Sequence, residues 1–370
     1  MTRMSEPEAL RVTVGLERPY DVLIGPGILK GIGSLVPERR VALVTDSNVA
    51  PLHGSQLADR LALDGRDVEL IIVEPGEASK SPATWAGIVE RLAERGFGRD
   101  CVVIGLGGGM VTDLAGFVAA TYLRGVAFCS VPTSLLGMVD AGVGGKTGIN
   151  LRAGKNLAGA FWQPRFVAAD VAVLASLPER QFRMGAAEFF KHALISSTGQ
   201  LDLLDAGRFS ARAAPADLAA WLATNIGVKA AIVAADEREA GVRTWLNYGH
   251  TLAHALESAT NHELEHGEAV AYGILFASLI SEARGYEDTV PYARRLLEFV
   301  RPAPLPRELE LAPLLPFMAR DKKNSASANR FVLLERPGSP VVVDNLTSGE
   351  LESAWTRLIG HAPFREGAPL

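Results

Sequence analysis

The sequence predicts an α/β first half built on a mainly parallel sheet, followed by a mainly α-helical second half. Three observations carry that prediction. Short β-rich runs alternate with helical periodicity up to about residue 177, glycines crowd the end of one such run just before a helix, and long helical patterns with clustered histidines fill the remainder. At 370 residues the chain exceeds what one hydrophobic core usually serves. The expected division is therefore 1–177 and 178–370, with an active site between two domains.

The bulk properties narrow the class. With 48% hydrophobic, 21% charged and 7% aromatic residues, the composition is that of a globular protein. The formal net charge of −5, without a long basic run, points to a small-molecule partner, not a nucleic acid or an anionic membrane. Cys101 and Cys129 lie in apolar segments, where buried thiols are the ordinary reading and a disulfide framework is not expected. The opening residues lack the pattern of a signal peptide, and no stretch of about 18 apolar residues is free of Gly, Pro or charge, so a cytoplasmic location is expected.

The first strand is expected at Arg11–Val14. It is followed by strand-like RVALVTD (40–46), VELIIVEP (68–75), CVVIGLGGG (101–109), VAFCSVPT (126–133) and RFVAADV (165–171). From Pro178 the texture changes to AAEFFKHALI, ADLAAWLATNIGVKAAIVAAD, TLAHALESA and GEAVAYGILFASLISEARG, all with helical spacing. A late pair, RFVLLER and PVVVDN, is separated by Pro-Gly-Ser and predicts a small hairpin.

Two glycine-rich stretches carry the anion chemistry. After Cys101 come Gly105, Gly107, Gly108 and Gly109, then helix-like MVTDLAGFVAATYL. A strand, glycines and a helix N-terminus let backbone N–H groups approach a pyrophosphate. Met110 stands where a G-x-G-x-x-G fingerprint has its third glycine, so the ordinary Rossmann motif is not present and a plain tight turn is the competing reading. Asp46 ends its strand where it can bond ribose hydroxyls or simply cap a turn. The second stretch, Asp140 to Asn156, reads DAGVGGKTGINLRAGKN and sets Lys146, Lys155 and Asn156 among five glycines. That is an oxyanion site or a solvated flexible loop; Lys146-Thr147 lacks the G-x-x-x-x-G of a Walker A motif.

The metal signal lies further on. Five of the seven histidines fall between His192 and His266, namely His192, His250, His254, His262 and His266, with Glu188 nearby. Glu188 and His192 are four apart, as are His250 and His254, so either pair can share a helix face, and spacing alone does not choose. Arg243 and Asn247 lie between Lys229 and His250, which suits a polyhydroxylated anion beside a divalent ion.

Taken in order, GGGMVTDLAGFVAATYLRG, VPTSLLGMVDAGVGGKTGIN, GKNLAGAFWQP, AAEFFKHA, NYGHTLAHALE, HGEAVAYG and RDKK resemble the dehydroquinate synthase family of sugar phosphate cyclases, over roughly residues 12 to 345. The resemblance implies a dinucleotide-binding α/β domain, a helical metal-binding domain, catalytic NAD, zinc or cobalt, and a homodimer. It also implies a carbon–oxygen lyase of the shikimate pathway, leading to chorismate and the aromatic amino acids. Glu188, His250 and His266 match the family's metal ligands, which leaves His192 a structural role. Asp46, Glu77, Lys80, Gly108, Gly109, Asp113, Thr133 and Ser134 match NAD-binding positions, together with Asp140, Lys146, Lys155 and Ser176. Arg124, Asp140, Lys146, Lys155, Asn156, Lys191, Lys229, Arg243, Asn247, His254 and Lys322 match the substrate-binding set, with Arg124 implied to reach the phosphate from the neighbouring subunit. Lys146, Lys191, Arg243, Asn247 and His254 are the implied catalytic groups.

The resemblance implies 3-deoxy-D-arabino-heptulosonate 7-phosphate as substrate, converted into 3-dehydroquinate and phosphate. Three other functions compete with that one. A cyclase for a neutral sugar such as sedoheptulose 7-phosphate has no need of a buried guanidinium at Arg243, whereas an aminated analogue of the implied substrate is harder to separate. A polyol dehydrogenase of related fold does not call for the dense Lys/Arg set. A catalytically dead binding protein requires a lost ligand or cofactor residue, and none is missing. Departures from the family pattern are small: Ser134 where threonine is frequent, and Phe189-Phe190 where aliphatics are common.

Overall fold

The structure, a computed structural model, describes residues 9–197, 199–205, 207–261, 263–306, 308–320 and 330–365. Its strands are β1 (Leu10–Val14), β2 (Tyr20–Gly25), β3 (Arg40–Asp46), β4 (Asp67–Val73), β5 (Val102–Gly107), β6 (Ala127–Pro132), β7 (Lys146–Leu151), β8 (Gly154–Phe161) and β9 (Phe166–Asp170), besides short later pairs. The helices begin with α1 (Ile28–Gly31), α2 (Ser55–Leu63), α3 (Pro82–Glu94), α4 (Gly109–Thr121), α5 (Glu179–Ser196) and α6 (Asp202–Asp205). They continue with α7 (Pro215–Ala235), α8 (His250–Ala259), α9 (His266–Ala283) and α10 (Val290–Val300).

The chain divides into two compact units, one of Met1–Pro178 with Ala211–Arg238, the other of Glu179–Ser210 with Glu239–Leu370. The expected partition at 177/178 therefore differs in one segment. Helix α7 groups with the first unit because its apolar face packs along β1 and β2, with Leu222, Ile226 and Val233 buried. By length and composition α7 would also pass for a membrane span. Buried Lys229 and these sheet contacts make it a core helix of this unit.

In the first unit a seven-stranded sheet has the order β1-β2-β9-β6-β5-β3-β4, with β1 antiparallel to β2 and the other pairings parallel. Alternate residues of β3 serve opposite faces. Ala42 and Val44 pack with Leu114 and Val118 of α4, whereas Val41 and Leu43 pack with Leu57 and Leu61 of α2. Burial on both faces explains why these strands read as nearly unbroken apolar runs. Between β3 and β5 the strand order reverses direction, and at such a switch point the carboxyl ends of the strands open a crevice.

Two elements depart from the sequence reading. Strand β2 was not expected, although Tyr20, Val22 and Ile24 alternate into the core. The basic stretch 140–156, read as a loop, is largely the antiparallel hairpin β7–β8. Its strand period is hidden because glycines stand where the strands come closest: a Cβ on Gly159 would lie 2.4 Å from the Thr147 carbonyl oxygen, and one on Gly148 would lie 2.8 Å from that of Ala158.

The second unit is mainly helical. Helix α9 runs through its middle against α5, α8 and α10, and Gly249 to Ala253 approach it so closely that a Cβ on Gly273 would meet the Gly249 carbonyl oxygen at 1.9 Å. The late hairpin forms as expected, from Phe331–Arg336 and Ser339–Val343, and a last helix spans Ser348–Ile359.

Candidate functional sites in the two units

The first unit gathers its polar groups at strand ends. Asp46, buried at the end of β3, accepts from the backbone N–H groups of Asn48 and Val49 at 2.9 and 3.0 Å, so it caps the turn there. Gly108 is the N-cap of α4, directly after β5. A Cβ there would meet only the Ser134 hydroxyl, at 3.5 Å, so the helix N-terminus presents bare backbone. Thr133 follows β6 and donates its N–H to the Gly107 carbonyl at 2.8 Å. Open backbone at a helix N-terminus, beside two hydroxyl residues, is a donor set that fits a pyrophosphate.

Beside it lies a charged network. Buried Lys80 pairs with Asp113 through its Nζ and donates to the Asn156 side-chain oxygen at 2.5 Å. Burial pushes the Asp113 carboxyl up from its ordinary range, against the opposing pull of Lys80. Lys229 of α7 pairs with Asp140 through both the carboxylate and the backbone carbonyl, at 2.5 Å each. Lys146 is exposed at the start of β7, and Lys155 is half-buried on β8. Ser176 is exposed and shares a 2.9 Å hydrogen bond with His53, a residue the sequence reading did not single out. Arg124 is exposed, at φ 66°, as the last residue of a 3-10 turn, Tyr122–Arg124.

In the second unit Glu188, His250 and His266 offer ligand atoms that all lie within 4.8 Å of one another. Each is placed by its helix: Glu188 in the middle of α5, His250 and His266 at the first positions of α8 and α9. The Nε2 atoms of His250 and His266 approach Glu188 Oε1 at 3.3 and 3.6 Å. Lys191, one turn on from Glu188 and equally buried, pairs with its other oxygen. Burial raises the Glu188 carboxyl, but Lys191 and then the two histidines outweigh it and hold the group well below the usual carboxylate range. Burial and Lys191 lower His250. Burial pulls His266 down as well, yet hydrogen bonds to Glu188 and Glu257 raise it to about 10. One carboxylate and two imidazoles at this spacing are a donor set for a divalent ion, with small side-chain movement.

Around that cluster, the His254 ring lies 5.4 Å from that of His250 and 6.3 Å from that of His266, centroid to centroid. Arg243 is fully buried, and Asn247 donates to Glu239 at 2.9 Å. His192 is buried on α5, one turn from Glu188. Two acidic neighbours escaped the sequence reading. Glu239 holds Asn247 from a left-handed position, φ 61°, and Glu257 faces His266 Nδ1 at 3.4 Å. Both stand within four residues of an assigned group, which is the signal that would have found them. His262 and Lys322 lie outside the described residues.

Comparison with known proteins decides the family. The 3-dehydroquinate synthase N-terminal profile matches residues 70–184, and the C-terminal profile matches residues 185–324. The chain belongs to the 3-dehydroquinate synthase family. The 3-dehydroquinate synthase of Symbiobacterium thermophilum is 41% identical over 341 residues, covering 90% of this chain and 95% of that relative. That of Halorhodospira halophila is 43% identical over 337 residues, covering 88% and 93%. Among solved structures, 2-epi-5-epi-valiolone synthase from Streptomyces hygroscopicus, with NAD+ and Zn2+ bound, aligns at a TM-score of 0.85 with 28% identity, over 92% of this chain and 97% of that one. A 2-deoxy-scyllo-inosose synthase complexed with carbaglucose-6-phosphate, NAD+ and Co2+ aligns at 0.82 with 25% identity, over 95% and 99%.

Proposed function

We propose that this chain converts 3-deoxy-D-arabino-heptulosonate 7-phosphate into 3-dehydroquinate and phosphate, using NAD that is regenerated in each cycle and a divalent ion, zinc or cobalt. Family membership supports the reaction, and the Glu188–His250–His266 cluster beside Lys191 is the observation that carries the chemistry. When bound, the ion would lower the pKa of adjacent substrate hydroxyls and NAD would accept a hydride; the ketone so formed would acidify the neighbouring C–H for phosphate elimination, before the hydride is returned.

The protein groups then have distinct tasks. Asp46, Glu77, Lys80, Gly108, Gly109, Asp113, Thr133, Ser134 and Ser176 hold the dinucleotide, with its pyrophosphate at the N-terminus of α4. Lys146, Lys155, Asn156 and Lys229, with Asp140, receive the anionic parts of the substrate, and the substrate's own phosphate takes the proton during its elimination. Arg243, buried in the second unit, presents the planar guanidinium that suits a substrate carboxylate. Asn247, fixed by Glu239, orients hydroxyls. His254, next to His250, moves a proton at the developing oxyanion. Lys191 balances Glu188 and reaches the same substrate region. Lys322 completes the substrate set, and Arg124 serves the phosphate of a neighbouring subunit in a homodimer.

The test is product identification. Metal-loaded protein given the heptulosonate phosphate and NAD should form 3-dehydroquinate, and sedoheptulose 7-phosphate should be inert. Ring closure of the neutral sugar at a comparable rate would move the chain to another sugar phosphate cyclase.

A further inference from the structure

Asn150 has no role in the reading above, yet it sits at an irregularity of the hairpin. The β7–β8 register shifts between Ile149 and Leu151, so Asn150 falls out of the ladder. Bulges of this kind release a backbone N–H from strand pairing and re-aim the side chain. Here the freed N–H donates to the Lys80 carbonyl at 2.7 Å. The side-chain amide donates to Glu77 Oε1 at 2.7 Å, and the side-chain oxygen accepts the Asn156 N–H at 2.9 Å. Only one amide orientation satisfies both neighbours, because a carboxylate accepts and a backbone N–H donates.

Asn156 is also in an unusual conformation. Its φ of 56° is uncommon for a residue with a Cβ, and the Asn150 bond is one of the contacts that hold it there. Its side-chain oxygen accepts from Lys80 Nζ at 2.5 Å, which closes a ring of contacts through Lys80, Asn150 and Asn156, with Glu77 attached. Glu77 and Asn156 are thereby bonded to the two ends of one side-chain amide.

We infer that Asn150 is a positioning residue that couples the cofactor carboxylate Glu77 to the substrate amide Asn156. This inference rests on the roles proposed above for Glu77 and Asn156. An asparagine suits the position because it offers a donor and an acceptor on one short side chain. Aspartate keeps the acceptor for Asn156 but loses the donor and sets a negative charge against Glu77, and alanine loses both.

The experiment is a double-mutant cycle on NAD affinity in the full-length, metal-loaded protein. Asn150→Asp should weaken NAD binding by about tenfold or more, with unchanged metal content and a melting temperature within a few degrees of wild type. In Glu77→Gln/Asn150→Asp the glutamine amide can donate to the new carboxylate. The double variant should therefore bind NAD within about threefold of Glu77→Gln alone. Losses that simply multiply would overturn the coupling. A second measurement needs no variant: saturating NAD should slow amide hydrogen exchange at Asn156 by about tenfold or more in wild type, and unchanged exchange would contradict the inference. Wild-type protein that binds no NAD would instead refute the proposed function, so the two failures are distinguishable.

Discussion

The glycine-rich strand ends of the first unit and the histidine cluster of the second are built by opposite means. At Gly108, Gly109 and Thr133 the groups offered to a ligand are largely backbone N–H and short hydroxyls, held by the sheet and the start of α4. At Glu188, His250 and His266 the groups are side chains, each fixed by the helix that carries it. Side-chain sites fail when one residue is replaced. Backbone sites fail when the path of the chain is crowded, and tolerate exchange of neighbouring side chains.

That contrast orders the expected effects. The largest should come from Glu188→Ala, which removes the central ligand and leaves Lys191 buried without its partner. Metal content should vanish and phosphate release fall by more than about 10³-fold. Retained metal by elemental analysis would break the ligand assignment. Next, Gly148→Ala forces a Cβ to 2.8 Å from the Ala158 carbonyl oxygen and distorts the hairpin carrying Lys146, Lys155 and Asn156. It should raise the KM for the phosphate substrate by about tenfold while metal content stays at wild-type level. A loss of metal in parallel would show that the two regions are not separable in this way.

A smaller effect is expected for Glu239→Ala. The variant frees Asn247 without touching a ligand atom, so activity should fall by about 10- to 100-fold with metal retained; full activity would show that Glu239 does not position Asn247 for the reaction. Smallest is Glu350→Gln, a control remote in sequence from both sites. Arg284 and the Thr347 capping contacts hold the Glu350 carboxyl down at about 2. A carboxyl with a depressed folded-state pKa stabilises above its unfolded value near 4.5, and that contribution is lost as pH falls towards 2. The variant should therefore be less stable by about 1 kcal/mol at pH 7, with the difference fading below pH 4.5 in denaturant titrations. A pH-independent difference would contradict that origin.

How legible each region was in the sequence follows from the same contrast. Residue type announces a candidate metal site, and the histidines between 192 and 266 pointed to it before any fold was known; helix spacing allowed Glu188 with His192 or His250 with His254 and did not choose, whereas the set the resemblance implied, clustered in the structure, joins Glu188 to His250 and His266. Those two stand at the first positions of successive helices, a relation set by packing of α8 on α9 that no short-range spacing encodes. The parallel sheet was legible because strands buried on both faces are continuously apolar. Strand β2 was hidden because its alternating Asp21 and Leu23 look polar-apolar mixed, and β7–β8 because Gly148 and Gly159 replace the residues that mark a strand. Helix α7 sits with the first unit although its sequence follows α5 and α6, since burial against β1, not order along the chain, decides its company. Asn150 carried no signal: a bulge is a property of register between two strands.

In the proposed reaction NAD is a recycled participant in a phosphate-eliminating cyclisation. Inorganic phosphate and NADH absorbance followed together, with the heptulosonate phosphate in large excess over NAD, decide that role. Phosphate should be released in many-fold excess over NAD without NADH accumulating. One NADH formed per substrate consumed, with phosphate retained, would contradict it and mark the protein as a dehydrogenase.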